Sequence, residues 1–234
     1  MKKYIFAALA LFLGLGSAIL FVELTQTYTT IVDSEPVDSE VTTILTDPFD
    51  LGTIINVKME TSMGDVMLEL YPDKAPETVK NFLYYTNAGT YDGTIFHRVI
   101  KNFMNQGGGY TTDYAKTETQ RPIPNEAFNG LKNLPGSIAM ARTSAPHSAT
   151  NQFFINTADN SFLDHTGKNM SGWGYAVFGK VTQGMDVINM MSEVETGADG
   201  PFGQDVPKQQ IVILKMTEIK TTTDSTNAEK LITE

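Results

Sequence analysis

The chain has 234 residues, enough for one well-buried domain with appendages. It contains no cysteine, which excludes disulfides, thiolate metal sites, a cysteine nucleophile and a lipidated N-terminal cysteine. The formal net charge of −10 is unevenly spread: residues 21–53 carry Glu23, Asp33, Glu35, Asp38, Glu40, Asp47 and Asp50 with no Lys or Arg, whereas residues 54–220 hold 17 acidic and 14 basic side chains, a net of −3. That near balance indicates neither a nucleic-acid groove nor a strongly acidic binding surface.

Lys2 and Lys3 precede an uncharged, mostly apolar run from Tyr4 to Val22. A positive start followed by an apolar segment is an export signal. The run is also long enough to span a bilayer as a helix, which takes about 18 residues or more. Gly16 and Ala18 are small residues spaced as a signal peptidase site requires, but apolar residues continue through Val22. Residues 1–22 therefore fit either a cleaved signal or a retained membrane anchor. In both cases the lysines stay in the cytoplasm and the rest crosses, which in a bacterium places the domain in the periplasm. Residues 23–53, acidic and rich in Thr and Ser, read as a solvated linker, with a short strand fitting only Val41 to Leu45.

From Ile54 the pattern changes. Ile54–Glu60 and Asp65–Tyr71 alternate or cluster apolar residues around Thr61-Ser62-Met63-Gly64, a hairpin signal. Ala75-Pro76-Glu77 opens a helix, with proline at a permitted first-turn position and a carboxylate at the positive end of the dipole. Val79, Phe82, Leu83 and Thr86 share its apolar face, and Asn87-Ala88-Gly89 ends it. Strand patterns follow at Phe96–Ile100, Ser137–Ala141, Gln152–Asn156 and Tyr175–Val181. Met185, Ile188, Asn189 and Met191 predict a second short helix, and Ile211, Ile213, Leu214 and Met216 a closing strand. Residues 110–133 are aperiodic, and 221–234 form a polar tail. Many short strands and two distant helices favour a closed antiparallel barrel over a parallel sheet.

The stretch Phe96-His97-Arg98-Val99-Ile100-Lys101-Asn102-Phe103-Met104-Asn105-Gln106 followed by Gly107-Gly108-Gly109 is the chemical centre of the chain. It gathers one long cation, one amide and two large soft apolar side chains, which suits a shallow apolar pocket with a hydrogen-bonding edge. It supplies no nucleophile with a base. His97, His147 and His165 lack metal-ligand spacing, and Ser148 beside His147 lacks a Gly-x-Ser-x-Gly elbow.

In order, Phe96–Ile100, Phe103–Gly108, Pro124-Asn125-Glu126, Ser137–Ala141, Asn151–Asn156 and Val177–Val181 resemble the cyclophilin family of peptidyl-prolyl cis-trans isomerases over about residues 54–219. The segments Ala141–Thr150 and Gly172–Tyr175 look like its bacterial branch. The resemblance implies a mainly β fold, a closed eight-stranded antiparallel barrel capped by two helices, with rotation of X-Pro bonds as the activity and no cofactor or metal. The implied catalytic residue is Arg98. The implied substrate-binding residues are Phe103, Met104, Phe154 and Leu163 around the proline, Gln106 and Gln152 as amides at its edge, and Ala141 with the Arg142 backbone along the groove. Phe162 and Tyr175 complete the set. By strand alternation Phe153 belongs to the core, opposite Phe154, and His97 points away from Arg98.

Phe162 departs from the tryptophan of many eukaryotic relatives, so weak cyclosporin binding with retained activity is expected. Tyr175 departs from their histidine, keeping a ring and offering a hydroxyl. The expected partners are proline-containing peptides and unfolded protein clients, with the membrane a further partner if residues 4–22 are retained. The expected state is a monomer. The rival reading is a binding module of the same fold that holds proline segments without turnover.

Overall fold

The computed structural model describes residues 54–220. The leader or anchor at 1–22, the acidic linker at 23–53 with its short strand, and the tail at 221–234 lie outside the described residues. Ile55–Thr61 (β1) and Gly64–Leu70 (β2) form the expected hairpin around Ser62-Met63. Its turn is held by the Thr61 hydroxyl, which donates to the Gly64 carbonyl at 2.7 Å and accepts from the Met63 amide at 3.1 Å. Alternation buries Val57, Met59, Val66, Leu68 and Leu70 on one face.

The first helix, α1, spans Pro76–Asn87 and buries Val79, Phe82, Leu83 and Thr86, the face its periodicity predicts. Ala75 has no side-chain oxygen to cap it. The cap comes instead from a distant loop: the Glu126 carboxylate accepts from the Glu77 and Thr78 amides at 3.2 and 2.8 Å and from the Thr78 hydroxyl at 2.7 Å. This satisfies two otherwise orphaned amides and sets a negative charge on the helix dipole. The second helix, α2, spans Met185–Ser192 and buries Val187, Ile188, Met191 and Ser192. The helix lies where Met185, Ile188, Asn189 and Met191 predict it; Asn189 is exposed.

The remaining strands are β3 (Thr94–Ile95), β4 (Arg98–Ile100), β5 (Met104–Gly107), β6 (Ser137–Met140), β7 (Phe153–Asn156), β8 (Val177–Gln183), β9 (Thr196–Asp199), β10 (Phe202–Pro207) and β11 (Val212–Ile219). Nine of the eleven make one antiparallel sheet in the order β3-β11-β1-β2-β8-β6-β7-β5-β4. Its two outer strands, β3 and β4, are consecutive in the chain and separated only by Phe96 and His97, so the sheet curls until its ends meet. Counting β3 and β4 as one bent strand recovers the eight expected. The bend turns Phe96 inward, where its amide bonds the Ile211 carbonyl at 2.9 Å.

The hairpin β9–β10 is an element the apolar pattern does not predict. Thr-Gly-Ala-Asp and Phe-Gly-Gln-Asp offer few alternating apolar side chains. The hairpin is held by single anchors instead: Phe202 stacks on His97 with ring centres 5.4 Å apart and meets Tyr110 edge-on at 4.9 Å, and Val206 is buried.

The main core fills the interior of the curl. Phe82 of α1 lies 5.5 Å from Phe153 and 5.1 Å from Phe178. Phe153 is fully buried there, as alternation predicts. A second, smaller apolar cluster of Met104, Ala139, Phe154 and Val177 lies on the other face of β5, β7, β6 and β8. The candidate site is built on that outer face.

Candidate active site

Strand register alone aligns Arg98, Gln106 and Phe154. Arg98 of β4 pairs with Gln106 of β5, Gln106 with Phe154 of β7, Phe154 with Ala139 of β6, and Ala139 with Val177 of β8. Directly opposed residues in an antiparallel sheet share a face. One cross-strand row therefore runs from a cation through an amide to an aromatic ring and a small apolar floor. Met104, two residues along β5 from Gln106, extends that face.

Above the row lies a cavity of about 110 Å³ lined by Arg98, Phe103, Met104, Gln106, Ala141, Arg142, Phe154, Leu163 and Tyr175. It is well below the roughly 300–1,000 Å³ of a drug-sized pocket and suits one small ring. A second hollow of about 150 Å³ adjoins it, sharing Gln106, Ala141 and Arg142 and adding Thr143, Ser148, Thr150 and Gln152. Nine of the eleven sequence-derived site residues thus meet around the first cavity. Gln152 lies in the neighbouring hollow, tied back by a 2.9 Å hydrogen bond from the Gln106 amide. Phe162 stands on the rim, 73% exposed, stacked on Phe103 with ring centres 5.7 Å apart. A larger hollow of about 470 Å³ beside α2, lined by Asn102, Thr157, Asp186, Asn189, Met190, Ser192 and Glu193, contains no cation and no aromatic ring. It lies apart from this chemistry.

The Arg98 guanidinium is held at two edges. Its Nη1 donates weakly to the Gln106 carbonyl oxygen at 3.5 Å, and its Nε faces the Asp205 carboxylate at 3.7 Å. Neither partner covers the side chain, which keeps 43% exposure. Asp205 lies on β10, and neither spacing nor charge pattern points to it. Arg142 also does more than its backbone role predicts. Its guanidinium lies 4.4 Å over the Tyr175 ring, its Nε donates to the Gly174 carbonyl at 2.9 Å, and an Nη donates to the Thr143 carbonyl at 2.9 Å. Tyr175 in turn meets Phe154 edge-on at 5.6 Å. Cation, ring and ring together form one wall of the cavity.

The loop carrying Leu163 is fixed by buried amides. Asn160 donates to the Phe103 carbonyl at 2.8 Å and to Asn156 at 2.7 Å; Asn156 donates to Asn133 at 3.2 Å, and Asn133 to Asp164 at 3.1 Å. A polar residue at the inner end of β7 is the one sequence cue to this network.

The glycines after β5 serve the site sterically. Gly108 has φ +83°, and a Cβ there would meet the Tyr91 ring at 2.8 Å and the Phe153 ring at 3.0 Å. At Gly109 a Cβ would lie 2.5 Å from Cγ of Gln152, so glycine is what lets that side chain lie against the strand.

His97 points away from the cavity, as expected, and is 3% exposed between Tyr110 and Phe202. Its Nδ1 makes no hydrogen bond of normal geometry. Burial lowers its pKa from 6.5 to about 4; the Ile95 backbone opposes this in part, the Arg98 charge pushes down less strongly, and the Gln152 side chain opposes least. The imidazole is therefore neutral at pH 7, and its charge plays no part beside Arg98. His147 and His165 flank Trp173 at 4.5 and 5.5 Å, and among the described residues no cluster of metal-ligating side chains occurs.

An antiparallel curl with two helices, carrying an arginine at the edge of a small aromatic cavity on its outer face, defines the cyclophilin type of isomerase. The family model for cyclophilin type peptidyl-prolyl cis-trans isomerase/CLD matches residues 56–218. The chain is 57% identical over 157 residues to peptidyl-prolyl cis-trans isomerase cyp18 of Streptomyces antibioticus, covering 67% of this chain and 94% of the relative. It is 53% identical over 161 residues to peptidyl-prolyl cis-trans isomerase B of Escherichia coli K12, covering 69% and 98%. Among solved structures, a cyclophilin type isomerase of Cryptosporidium parvum, crystallised in the presence of the dipeptide Ala-Pro, superposes with a TM-score of 0.58 at 28% identity, covering 70% and 99%. This chain belongs to the cyclophilin family and is a peptidyl-prolyl cis-trans isomerase (EC 5.2.1.8) that binds proline-containing peptides.

Proposed function

We propose that Arg98 is the catalytic residue and that the cavity beside it holds the proline ring. The carrying observation is the row Arg98–Gln106–Phe154–Ala139, which sets a cation in register with an apolar floor. Rotation about an amide bond faces a barrier of ~18–20 kcal/mol because the C–N bond has partial double-bond character. Removing roughly 8 kcal/mol of it gives about a millionfold acceleration. No covalent intermediate is needed, only a donor that favours the lone pair localised on the prolyl nitrogen and a surface that prefers the twisted amide.

In this reading Phe103, Met104, Phe154 and Leu163 exclude water and grip the ring. Gln106 and Gln152 bond the substrate backbone, and Ala141 with the Arg142 backbone seats the preceding residue. Tyr175 closes the far wall under the Arg142 guanidinium, and Phe162 extends the rim. Gln106 also holds Arg98 short of full hydrogen-bond contact, leaving the guanidinium free to donate.

The same reading has the enzyme act as a monomer on unfolded clients outside the cytoplasm, either held by residues 4–22 or released after cleavage, with residues 23–53 as a spacer. Support comes from the Lys2-Lys3 start, the apolar run and the change of composition at residue 54. The test is isomerisation of an X-Pro peptide by wild type and Arg98→Ala. We expect kcat/KM to fall by about 10²–10³-fold in the variant, as when one transition-state donor is removed. An undiminished rate would remove Arg98 from the mechanism.

A further inference from the structure

We infer that Asp205 is a positioning residue for isomerisation, acting through Arg98; this rests on Arg98 being the catalytic cation. The placement of Asp205 is specific. β10 is clamped at two points, by Phe202 against His97 and Tyr110 and by buried Val206, which pairs with Gly197 of β9. Between these anchors the pairing with β9 shifts register, so the strand bulges. Asp205 sits in the bulge at φ +65°, a left-handed conformation that aspartate tolerates better than most residues. Non-glycine residues hold such angles where the surroundings over-determine them, and they cluster at functional sites.

The bulge turns the Asp205 carboxylate toward Arg98, with Oδ2 3.7 Å from Nε. The same oxygen accepts from the Gln204 side-chain Nε2 at 3.1 Å. Adjacent residues at the entry to β4 are thereby read by one strand: Phe202 packs on His97, just before β4, and Asp205 faces Arg98, its first residue. With Gln106 at Nη1 and Asp205 at Nε, two edges of the guanidinium plane are defined and the rest is left for the prolyl nitrogen. The carboxylate side chain is only 22% exposed and the arginine 43%, so the pair is partly shielded from solvent. The effect is to restrict where the cation points before substrate arrives.

The experiment is a double-mutant cycle with Asp205→Asn and Arg98→Ala, read as kcat and KM on an X-Pro peptide. Asparagine keeps the left-handed turn and removes the charge. We expect Asp205→Asn to lower kcat by about two- to fivefold with KM nearly unchanged, the range of a partly exposed ion pair. We expect no further loss when it is added to Arg98→Ala. The wild-type Arg98 Nε–H resonance should also exchange more slowly than that of exposed Arg121, a readout that needs no variant. Unchanged or raised kcat, an equal loss in both backgrounds, or equally fast exchange at the two arginines would overturn the inference. If Arg98→Ala itself keeps full activity, the fault lies in the reading of Arg98. If Arg98→Ala is inactive while Asp205→Asn is unaffected, only the role of Asp205 fails.

Discussion

Neighbouring side chains at 97 and 98 have opposite fates: the imidazole is packed dry between Tyr110 and Phe202, and the guanidinium opens on the cavity. With a folded pKa of about 4 against 6.5 when free, His97 makes the unfolded chain bind more protons between those values. Stability contributed by the neutral ring is present above pH 6.5 and is lost as pH falls toward 4, by about 3 kcal/mol in total. Urea unfolding from pH 7 to pH 4 should show this loss, and His97→Phe, which keeps the stacked ring, should show a shallower decline. An identical decline in both proteins would assign the acid sensitivity elsewhere. At the rim, Phe162→Trp adds an indole N–H on an exposed ring stacked over Phe103. Calorimetry should find tighter cyclosporin binding in that variant, and an unchanged affinity would remove the residue from the explanation.

At the scale of elements, consecutive glycines after β5 should separate stability from activity. Gly108→Ala combines a positive φ with collisions on two buried rings and should cost about 1–3 kcal/mol of stability. At Gly109→Ala the nearest atoms all belong to Gln152, a flexible side chain that can swing away. Thermal melts should move far less for Gly109→Ala, and its kcat/KM should fall as the Gln106–Gln152 bond breaks. The sequence made legible those elements whose signal is local and repeated: the first hairpin, the α1 face, the strands at 137, 153 and 177, and the split between Phe153 and Phe154. The motif order carried the cavity wall in the same way. Asp205 and the Glu126 cap were not legible, because each acts on a segment far away in the chain through one carboxylate. The β9–β10 hairpin escaped because isolated anchors, Phe202 and Val206, replace an alternating pattern.

For the molecule as a whole, the proposed reading makes activity and address separable. Residues 54–220 contain every proposed site residue, and among them no helix is long and apolar enough to cross a membrane. A fragment starting at Ile54 should therefore isomerise X-Pro peptides as fast as the full chain. A reporter active only outside the cytoplasm, fused after Thr53, should be active in bacteria and lose that activity when residues 4–22 are removed. A fusion that remains active without the apolar run would sink the proposed export route.

An isomerase of proline-containing peptides meets extended segments able to pair with a free strand, and here the curl leaves them little to join. The outer strands of its sheet, β3 and β4, are halves of one segment. On its free side β3 is met by the Tyr110–Thr111 segment, with the Ile95 amide bonding the Tyr110 carbonyl at 2.9 Å, and β4 lies beside β10. A sheet with such seams offers no template for adding a client's strand. On the proposed reading the hold on a peptide is limited to a proline and the residues beside it, with the sheet edges adding no strand pairing that would delay release.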